Sequence, residues 1–123
     1  MNILGWLLVP KDGTYKELPQ KMFSTKIGFS TVNNAGAGTF SPLETMSLET
    51  ARDTMEVNFF GVLRAIKAVL PALKKQGSGH LINISSQFGI VGEPFCAVYS
   101  ASKFAVEGLS ESLAPELKHF GIK

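Results

Sequence analysis

Cysteine and histidine are scarce in this chain of 123 residues, which contains one Cys and two His. Cys96 has no cysteine partner, so it cannot form a disulfide within the chain. One cysteine and two histidines also offer no spaced set of ligands for a structural zinc ion. We therefore expect no bound metal and a reducing compartment, the cytoplasm.

Runs of one charge sign and long apolar runs are also absent. The 12 basic residues exceed the 10 acidic residues by only two, and no basic cluster is longer than Lys74-Lys75. This balance argues against a nucleic-acid partner. The apolar run 3–9 is far shorter than the about 20 residues of a membrane-spanning helix, so we interpret it as core or edge material and expect no membrane partner. The length and the 45% apolar content are typical of one soluble globular domain.

Hydrophobic periodicity begins near residue 32. The stretch 15–26 shows no sustained period, whereas two later segments carry apolar residues at three- and four-residue steps. These stripes predict helices over 47–76 and 97–119, each with one face packed on a core. The first stripe consists of Ala51, Met55, Phe59, Val62, Ile66, Val69 and Leu73, and the second of Val106, Leu109, Leu113 and Leu117.

A short apolar and β-branched run, 81–85, lies between the two helices and is typical of a buried strand. A helix that leads into a buried strand indicates a βαβ unit, which requires an earlier strand. The best candidate is 27–33, which precedes the Gly36-Ala37-Gly38 turn. We therefore predict an α/β fold with two parallel strands that each feed a helix, and a sheet that is only partial because parallel sheets usually contain more strands.

Tyr99 and Lys103 are four residues apart in the second helix, so they share one face. A phenol has a pKa near 10, and to act as a base at neutral pH its phenolate must be favoured by roughly 4 kcal/mol. A neighbouring cation supplies part of that free energy. The alternative is a chance pair on a solvated helix face.

Polar residues also follow each predicted strand. Ser86 comes just after 81–85, where the carboxyl end of a parallel strand faces the ligand crevice of α/β folds, and its hydroxyl can donate to a substrate carbonyl. The alternative is a turn residue that bonds its own backbone. Asn33-Asn34-Ala35-Gly36 ends the earlier strand, and by itself it is equally consistent with an Asn-rich turn.

Taken together, these segments resemble the short-chain dehydrogenase/reductase family in its nicotinamide-dependent, single-domain Rossmann form. The resemblance implies a partial doubly wound, Rossmann-like parallel sheet with two long helices. It covers 32–123, the central and catalytic half of such a domain, and leaves 1–31 as a segment that does not match the family. The motifs that carry it are Asn33-Asn34-Ala35-Gly36, Val57-Asn58-Phe59-Phe60-Gly61, Ile84-Ser85-Ser86 and Tyr99-Ser100-Ala101-Ser102-Lys103.

The resemblance implies hydride transfer between NAD or NADP and a small-molecule alcohol or carbonyl substrate. The segment 102–113 is similar to that of family members acting on steroids, retinoids or related lipophilic alcohols. The resemblance implies that Tyr99 is the catalytic acid/base and that Ser86 polarises the substrate oxygen. Lys103 would bind the nicotinamide ribose and favour the phenolate of Tyr99. Asn58 would hold a water molecule in a proton relay. Residues implied to line the adenosine side of the cofactor and stabilise the central strand are Asn33, Ala35 and Gly36.

One departure from the family pattern is the lack of a glycine-rich turn ahead of Asn33. We therefore expect the phosphate-binding loop to be missing and cofactor binding to be weakened by several orders of magnitude. The alternative to an oxidoreductase is a truncated, catalytically inactive fragment. Such a fragment would associate with a full-length relative through helices 47–76 and 97–119, which the family uses for dimerisation.

Overall fold

The computed structural model describes residues 3–4, 30–38 and 40–123. Most of the apolar run 3–9, the mixed stretch 15–26 and the first part of the predicted strand 27–33 lie outside the described residues. The described part alternates strands and helices, which confirms the predicted α/β class. None of its helices is long and apolar enough to cross a bilayer.

Parallel pairing joins three strands in the order β1-β2-β3, with β1 at Ile3–Leu4, β2 at Ser30–Asn33 and β3 at Leu81–Asn83. The sequence predicts β2 and β3, and it predicts core or edge material for the apolar run 3–9. The structure places Ile3–Leu4 in an edge strand whose residues pair with Ser30 and Thr31. The prediction that β3 extends to residue 85 was wrong, because regular pairing with β2 ends where Asn33 pairs with Asn83.

The first predicted helix consists of three consecutive helical segments, and it begins one residue later than predicted. They are α1 (Leu48–Met55), a π-helical turn (Glu56–Phe60) and α2 (Gly61–Gln76). Ser47 precedes α1 as its N-cap, because the Ser47 hydroxyl accepts a hydrogen bond from the Thr50 N–H at 3.0 Å. The sequence did not predict the π-helical turn, since the apolar stripe continues through it at ordinary helical spacing.

The second helix, α3 (Ala97–Lys118), ends one residue before its predicted end. Two clusters of buried residues lie between the helices and the sheet. Leu81 of β3 and Leu113 of α3 contact both clusters, so strand and helices share one core. The clusters consist of Val69, Leu73, Leu117 and Ile122 in one, and Val62, Ile66 and Val106 in the other.

The turns that end α2 and α3 touch each other. Gly77 caps α2 in a left-handed conformation with a φ of 71°, and its N–H donates to the Leu73 carbonyl. Gly121 follows α3 with a φ of 69°, and a Cβ atom on it would collide with the Gly77 carbonyl oxygen. Glycine is therefore required at Gly121 both by its backbone conformation and by this close approach.

Candidate functional site

The carboxyl ends of β2 and β3 lie side by side, because the two strands are parallel and Asn33 is in register with Asn83. The Asn33 side-chain amide donates to Asn83 Oδ1 at 2.8 Å, so a side-chain bond follows the last backbone pair. Asn83 Nδ2 donates in turn to the Ser110 hydroxyl at 2.9 Å. These bonds fix the strand ends to each other and to α3.

Asn58 joins three segments of the chain from within the π-helical turn. Its side chain is only 1% exposed. Its Oδ1 accepts from the Ala37 N–H at 2.7 Å, and its Nδ2 donates to the Ala37 carbonyl at 2.9 Å and to the Ser102 hydroxyl at 2.9 Å. Ser102 then donates to the Tyr99 carbonyl at 2.6 Å. The turn after β2, the π-helical turn and the start of α3 are therefore held in one polar network.

Lys103 lies beside this network with its side chain almost fully buried, at 5% exposure. Its ammonium donates to the Ile84 carbonyl at 3.1 Å, the one acceptor it has among the described residues. Burial lowers the pKa of Lys103, because removal of water penalises the charged form. The ammonium has three N–H groups, so two remain to bind another molecule.

Gly36 lies next to the Lys103 ammonium. A Cβ atom on Gly36 would lie 3.6 Å from Lys103 Nζ and 3.7 Å from Asn58 Oδ1. A larger side chain there would cover both polar groups. Two residues that the sequence analysis named for different roles, Asn58 and Lys103, therefore face the same glycine.

Tyr99 is half-buried one helical turn before Lys103, whose Nζ lies 5.8 Å from the centre of the Tyr99 ring. This is within the range of an attraction between a cation and an aromatic ring. The Phe88 and Tyr99 rings pack nearly perpendicular to each other, with 5.9 Å between the ring centres. Tyr99 thus contacts both a cation and a second aromatic ring.

Ser86 begins the short 3₁₀ turn Gln87–Gly89 that packs against α3. Its hydroxyl oxygen accepts from the Phe88 N–H at 3.2 Å, which leaves the hydroxyl hydrogen available to donate. The turn approaches α3 so closely that a Cβ atom on Gly89 would lie 2.6 Å from the Ser85 hydroxyl and 3.1 Å from the Lys103 carbonyl. Only glycine allows this contact, which sets the position of Ser86 relative to α3.

The structure shows which of the predicted site residues contact one another. Asn58, Lys103 and Gly36 surround one point, and Tyr99 contacts Lys103 directly through its ring. Ser86 bonds to the Phe88 N–H in its turn, and the Phe88 ring contacts Tyr99. Of the remaining two predicted residues, Asn33 bonds to Asn83 through its side-chain amide, and Ala35 is half-buried in the turn after β2.

Sequence reasoning missed three residues of this arrangement. Ser102 is fully buried and connects Asn58 to Tyr99, Asn83 holds the strand ends together, and Gly89 allows the 3₁₀ turn to approach α3. Ser102 and Asn83 lie in segments that the sequence analysis singled out, but their residue types also fit ordinary helix and strand positions. The described residues include no group of three His, Cys, Asp or Glu side chains that could hold a metal ion.

Comparisons of the sequence and the fold with known proteins show which proteins this chain resembles. The sequence model described as "short chain dehydrogenase" matches residues 20–123. The match begins within the segment 1–31, and the division of the chain near residue 32 stays a prediction.

Curated relatives include retinol dehydrogenase 8 of Bos taurus, 50% identical over 91 residues, which are 74% of this chain and 29% of that protein. The 3-ketodihydrosphingosine reductase of Bacteroides thetaiotaomicron is 51% identical over 92 residues, or 75% of this chain and 34% of that protein. Human 17-beta-hydroxysteroid dehydrogenase type 1 is 45% identical over 91 residues, or 74% of this chain and 28% of that protein. The chain thus spans about a third of the length of these relatives.

Solved structures show the same fold. A short-chain dehydrogenase from Streptomyces avermitilis matches 89% of this chain and 41% of its own, with a TM-score of 0.80 and 35% identity. The structure of ElxO with NADP bound matches 95% of this chain and 48% of its own, with a TM-score of 0.86 and 28% identity. The matched part is therefore less than half of either structure.

Proposed function

Since the chain belongs to the short-chain dehydrogenase family, we propose that it carries the acid–base part of a site for hydride transfer. The hydride would pass between a nicotinamide cofactor, NAD or NADP, and an alcohol or carbonyl substrate. The observation that supports this best is the buried Lys103 ammonium, which contacts the Tyr99 ring and lies next to Gly36. A buried cation next to a phenol favours the phenolate, the form that can accept a proton from an alcohol.

Each side chain has a distinct task in this proposal. Tyr99 accepts the hydroxyl proton during oxidation and returns it to the carbonyl oxygen during reduction. The free hydrogen of Ser86 donates to that same oxygen, where negative charge develops. Lys103 stays protonated and stabilises the phenolate of Tyr99 electrostatically. Asn58 holds a water molecule that connects Lys103 to solvent.

The described residues fit a nicotinamide cofactor at the ribose. Ribose hydroxyls accept hydrogen bonds, and the Lys103 ammonium, which lies next to Gly36, has two N–H groups beyond the one bonded to the Ile84 carbonyl. Ala35 and Gly36 line the adenosine side, while the bond of Asn33 to Asn83 supports its role in stabilising the central strand. When bound, the cofactor supplies the nicotinamide carbon that accepts or releases the hydride.

The proposed substrates are lipophilic alcohols and their carbonyl counterparts. Three exposed apolar residues, Ile90, Val91 and Phe95, lie between the Ser86 turn and the start of α3. They flank the proposed reacting groups and supply an apolar surface for a lipophilic substrate. The relatives named for retinol, 3-ketodihydrosphingosine and 17-beta-hydroxysteroids are consistent with this class.

Cofactor titration and turnover of the purified chain test the proposal. NADH and NADPH are titrated separately, up to millimolar concentration because no glycine-rich turn precedes Asn33 in this sequence. Turnover is then measured with all-trans-retinal and with estrone. We expect saturable cofactor fluorescence, and we expect Tyr99→Phe to lower turnover by about 100-fold or more without changing cofactor affinity.

The matched control is Ser112→Ala, a change at an exposed position of α3. It should leave turnover and cofactor affinity unchanged. Equal turnover for Tyr99→Phe and the original chain would refute the acid–base role, and the absence of saturable binding of either nucleotide would refute the cofactor role.

A second candidate function is association with a longer relative, or with another copy, through the helical surface. Four apolar side chains on the helical stretches are exposed, and such a surface is typical of a contact site. They are Leu48, Val57, Phe60 and Phe104. Sedimentation of the chain alone and mixed with retinol dehydrogenase 8 tests this function, and Phe60→Lys and Phe104→Lys should each weaken the association. An unchanged sedimentation coefficient in every mixture would contradict it.

A further inference from the structure

An ion pair spans the π-helical turn that carries Asn58. The Arg64 guanidinium donates from Nη1 to Glu56 Oε1 at 2.6 Å, and the two side chains are only 22% and 27% exposed. Glu56 is the first residue of the π-helical turn, and Arg64 lies in the first turn of α2. The pair therefore joins the start of the π-helical turn to the helix that follows it.

The spacing of eight residues between Glu56 and Arg64 suits a π-helical turn better than an uninterrupted α-helix. Each residue of an α-helix turns the chain by about 100°, so residues eight apart lie about 80° from each other around the axis. The turn here is wider, because the Gly61 N–H donates to the Glu56 carbonyl five residues earlier. One additional residue in the turn places residues eight apart about 20° from each other, as residues seven apart lie in an α-helix. The ion pair therefore favours the π-helical turn over a regular helix.

The Arg64 side chain is directed toward Glu56 by its surroundings. Side chains of a helix lean toward its N-terminus, which takes the long Arg64 side chain back over the π-helical turn. Its Nε is buried without a hydrogen-bond partner among the described residues, so the bond to Glu56 is the one that the guanidinium makes there. Partial burial also reduces the screening of this pair by salt. Loss of either side chain leaves the other without its counter-charge.

The orientation of Asn58 depends on this turn. Asn58 lies two residues after Glu56, and its amide donates to the Ala37 carbonyl and to the Ser102 hydroxyl, both at 2.9 Å. Conversion of the turn to α-helical geometry would rotate Asn58 around the axis relative to α2 and withdraw its amide from these acceptors.

We propose that Glu56 and Arg64 are positioning residues for Asn58. Their ion pair holds the π-helical turn in the geometry that directs the Asn58 amide to Ala37 and Ser102. The consequence for catalysis rests on the proposed function, in which Asn58 holds a water molecule of the proton relay.

The test measures hydrogen exchange of side-chain amides by NMR, in the labelled chain without cofactor or substrate. The Asn58 amide reports on the π-helical turn, and the Asn83 amide, which donates to Ser110 outside that turn, reports on general stability. We expect Glu56→Met and Arg64→Met each to speed exchange at Asn58 by about threefold or more, because each removes a charge-assisted hydrogen bond. Exchange at Asn83 should change by less than about twofold, because the opening is local.

The matched control is Lys67→Met, which removes a charge from an exposed position of the same helix. It should leave exchange at both amides unchanged. Arg64→Lys keeps the charge on a different head group, so its effect at Asn58 should be smaller than that of Arg64→Met. Circular dichroism verifies folding, and if a Met variant does not fold, Arg64→Lys gives the comparison between the two amides.

The double variant Glu56→Met with Arg64→Met tests whether the two residues act as a pair. Its effect at Asn58 should equal the larger single effect, because the second change has no further interaction to remove. Multiplication of the two single effects would overturn the proposal. Equal acceleration at Asn58 and Asn83, or no acceleration at Asn58, would overturn it too.

Exchange at Asn58 is independent of turnover, so the two proposals fail separately. Acceleration confined to Asn58, in a chain that transfers no hydride, would support the positioning role and refute the proposed function alone. Unchanged exchange at Asn58 would refute the positioning role at any level of turnover.

Discussion

At the scale of single residues, Lys103 carries an ammonium group in a buried environment that disfavours the charged form. Its side chain is buried, and this burial lowers its pKa below the ordinary 10.5. The one hydrogen bond to the Ile84 carbonyl offsets only part of the lost hydration. Burial of this cation therefore reduces stability, an environment typical of residues that take part in chemistry, which supports the role proposed for Lys103.

This environment predicts a specific pH dependence of stability. Between its lowered folded-state pKa and 10.5, Lys103 binds fewer protons in the folded chain than in the unfolded chain. Its contribution to the free energy of unfolding therefore rises with pH through that window. The measurement is urea denaturation at several alkaline pH values for the original chain and for Lys103→Met. The free energy of unfolding of the original chain, minus that of Lys103→Met, should increase as the pH rises through this window. A difference that is constant with pH would contradict the prediction.

Substitution of Asn58 should lower the stability of the folded chain. Asn58→Ala removes three hydrogen bonds, two to the Ala37 backbone and one to the Ser102 hydroxyl, which keeps its bond to the Tyr99 carbonyl. An internal hydrogen bond contributes about 0.5–1.5 kcal/mol, so we expect a loss of at least about 1.5 kcal/mol in urea denaturation. The control is Asn34→Ala at an exposed position, which should change stability by less than about 0.5 kcal/mol. Equal effects of the two changes would show that the network does not stabilise the fold.

At the scale of elements, contact between the 3₁₀ turn and α3 depends on the absence of a side chain at Gly89. We expect Gly89→Ala to cost about 1–3 kcal/mol, because the added methyl group meets the Ser85 hydroxyl and the Lys103 backbone. Gly92→Ala is the matched control, since a Cβ atom on Gly92 has no neighbour within 4 Å. Thermal denaturation of both variants compares the two sites, and a similar decrease in Tm for both would contradict this explanation.

Secondary structure in this chain could be predicted largely from the period of its apolar residues. The helices over 48–76 and 97–118 and the strand at 81–83 lie within two residues of their predicted ends, because their apolar faces must be buried. The π-helical turn at Glu56–Phe60 could not be predicted, since the apolar residues continue through it at ordinary helical spacing. β1 could not be predicted because a strand of two residues shows no period.

The candidate site, like the secondary structure, could be predicted only in part from the sequence. The residues proposed to react come from motif resemblance and stay a prediction, whereas the contacts that position them depend on tertiary packing. Ser102 illustrates this, because a serine within a helix gives no sign that its hydroxyl will meet Asn58 of another helical segment.

At the scale of the whole molecule, the two buried clusters form one core. Leu73 is fully buried, with 0% exposure, and Leu81 and Leu113 connect its cluster to the other. We expect Leu73→Ala to lower the free energy of unfolding by about 2–5 kcal/mol. Circular dichroism in urea should show one transition shifted to lower denaturant concentration.

Leu48→Ala is the control for the core substitution, because Leu48 is 71% exposed. It should change stability by less than about 1 kcal/mol. Two separate unfolding transitions in Leu73→Ala, each with its own midpoint, would show that the clusters unfold independently.

The hydrogen bond between the Asn33 and Asn83 side chains has a consequence for the register of the sheet. Sliding β3 by one residue against β2 would turn Asn83 to the opposite face and break its bonds to Asn33 and Ser110 together. The two asparagines therefore favour one alignment of the strands over its neighbours.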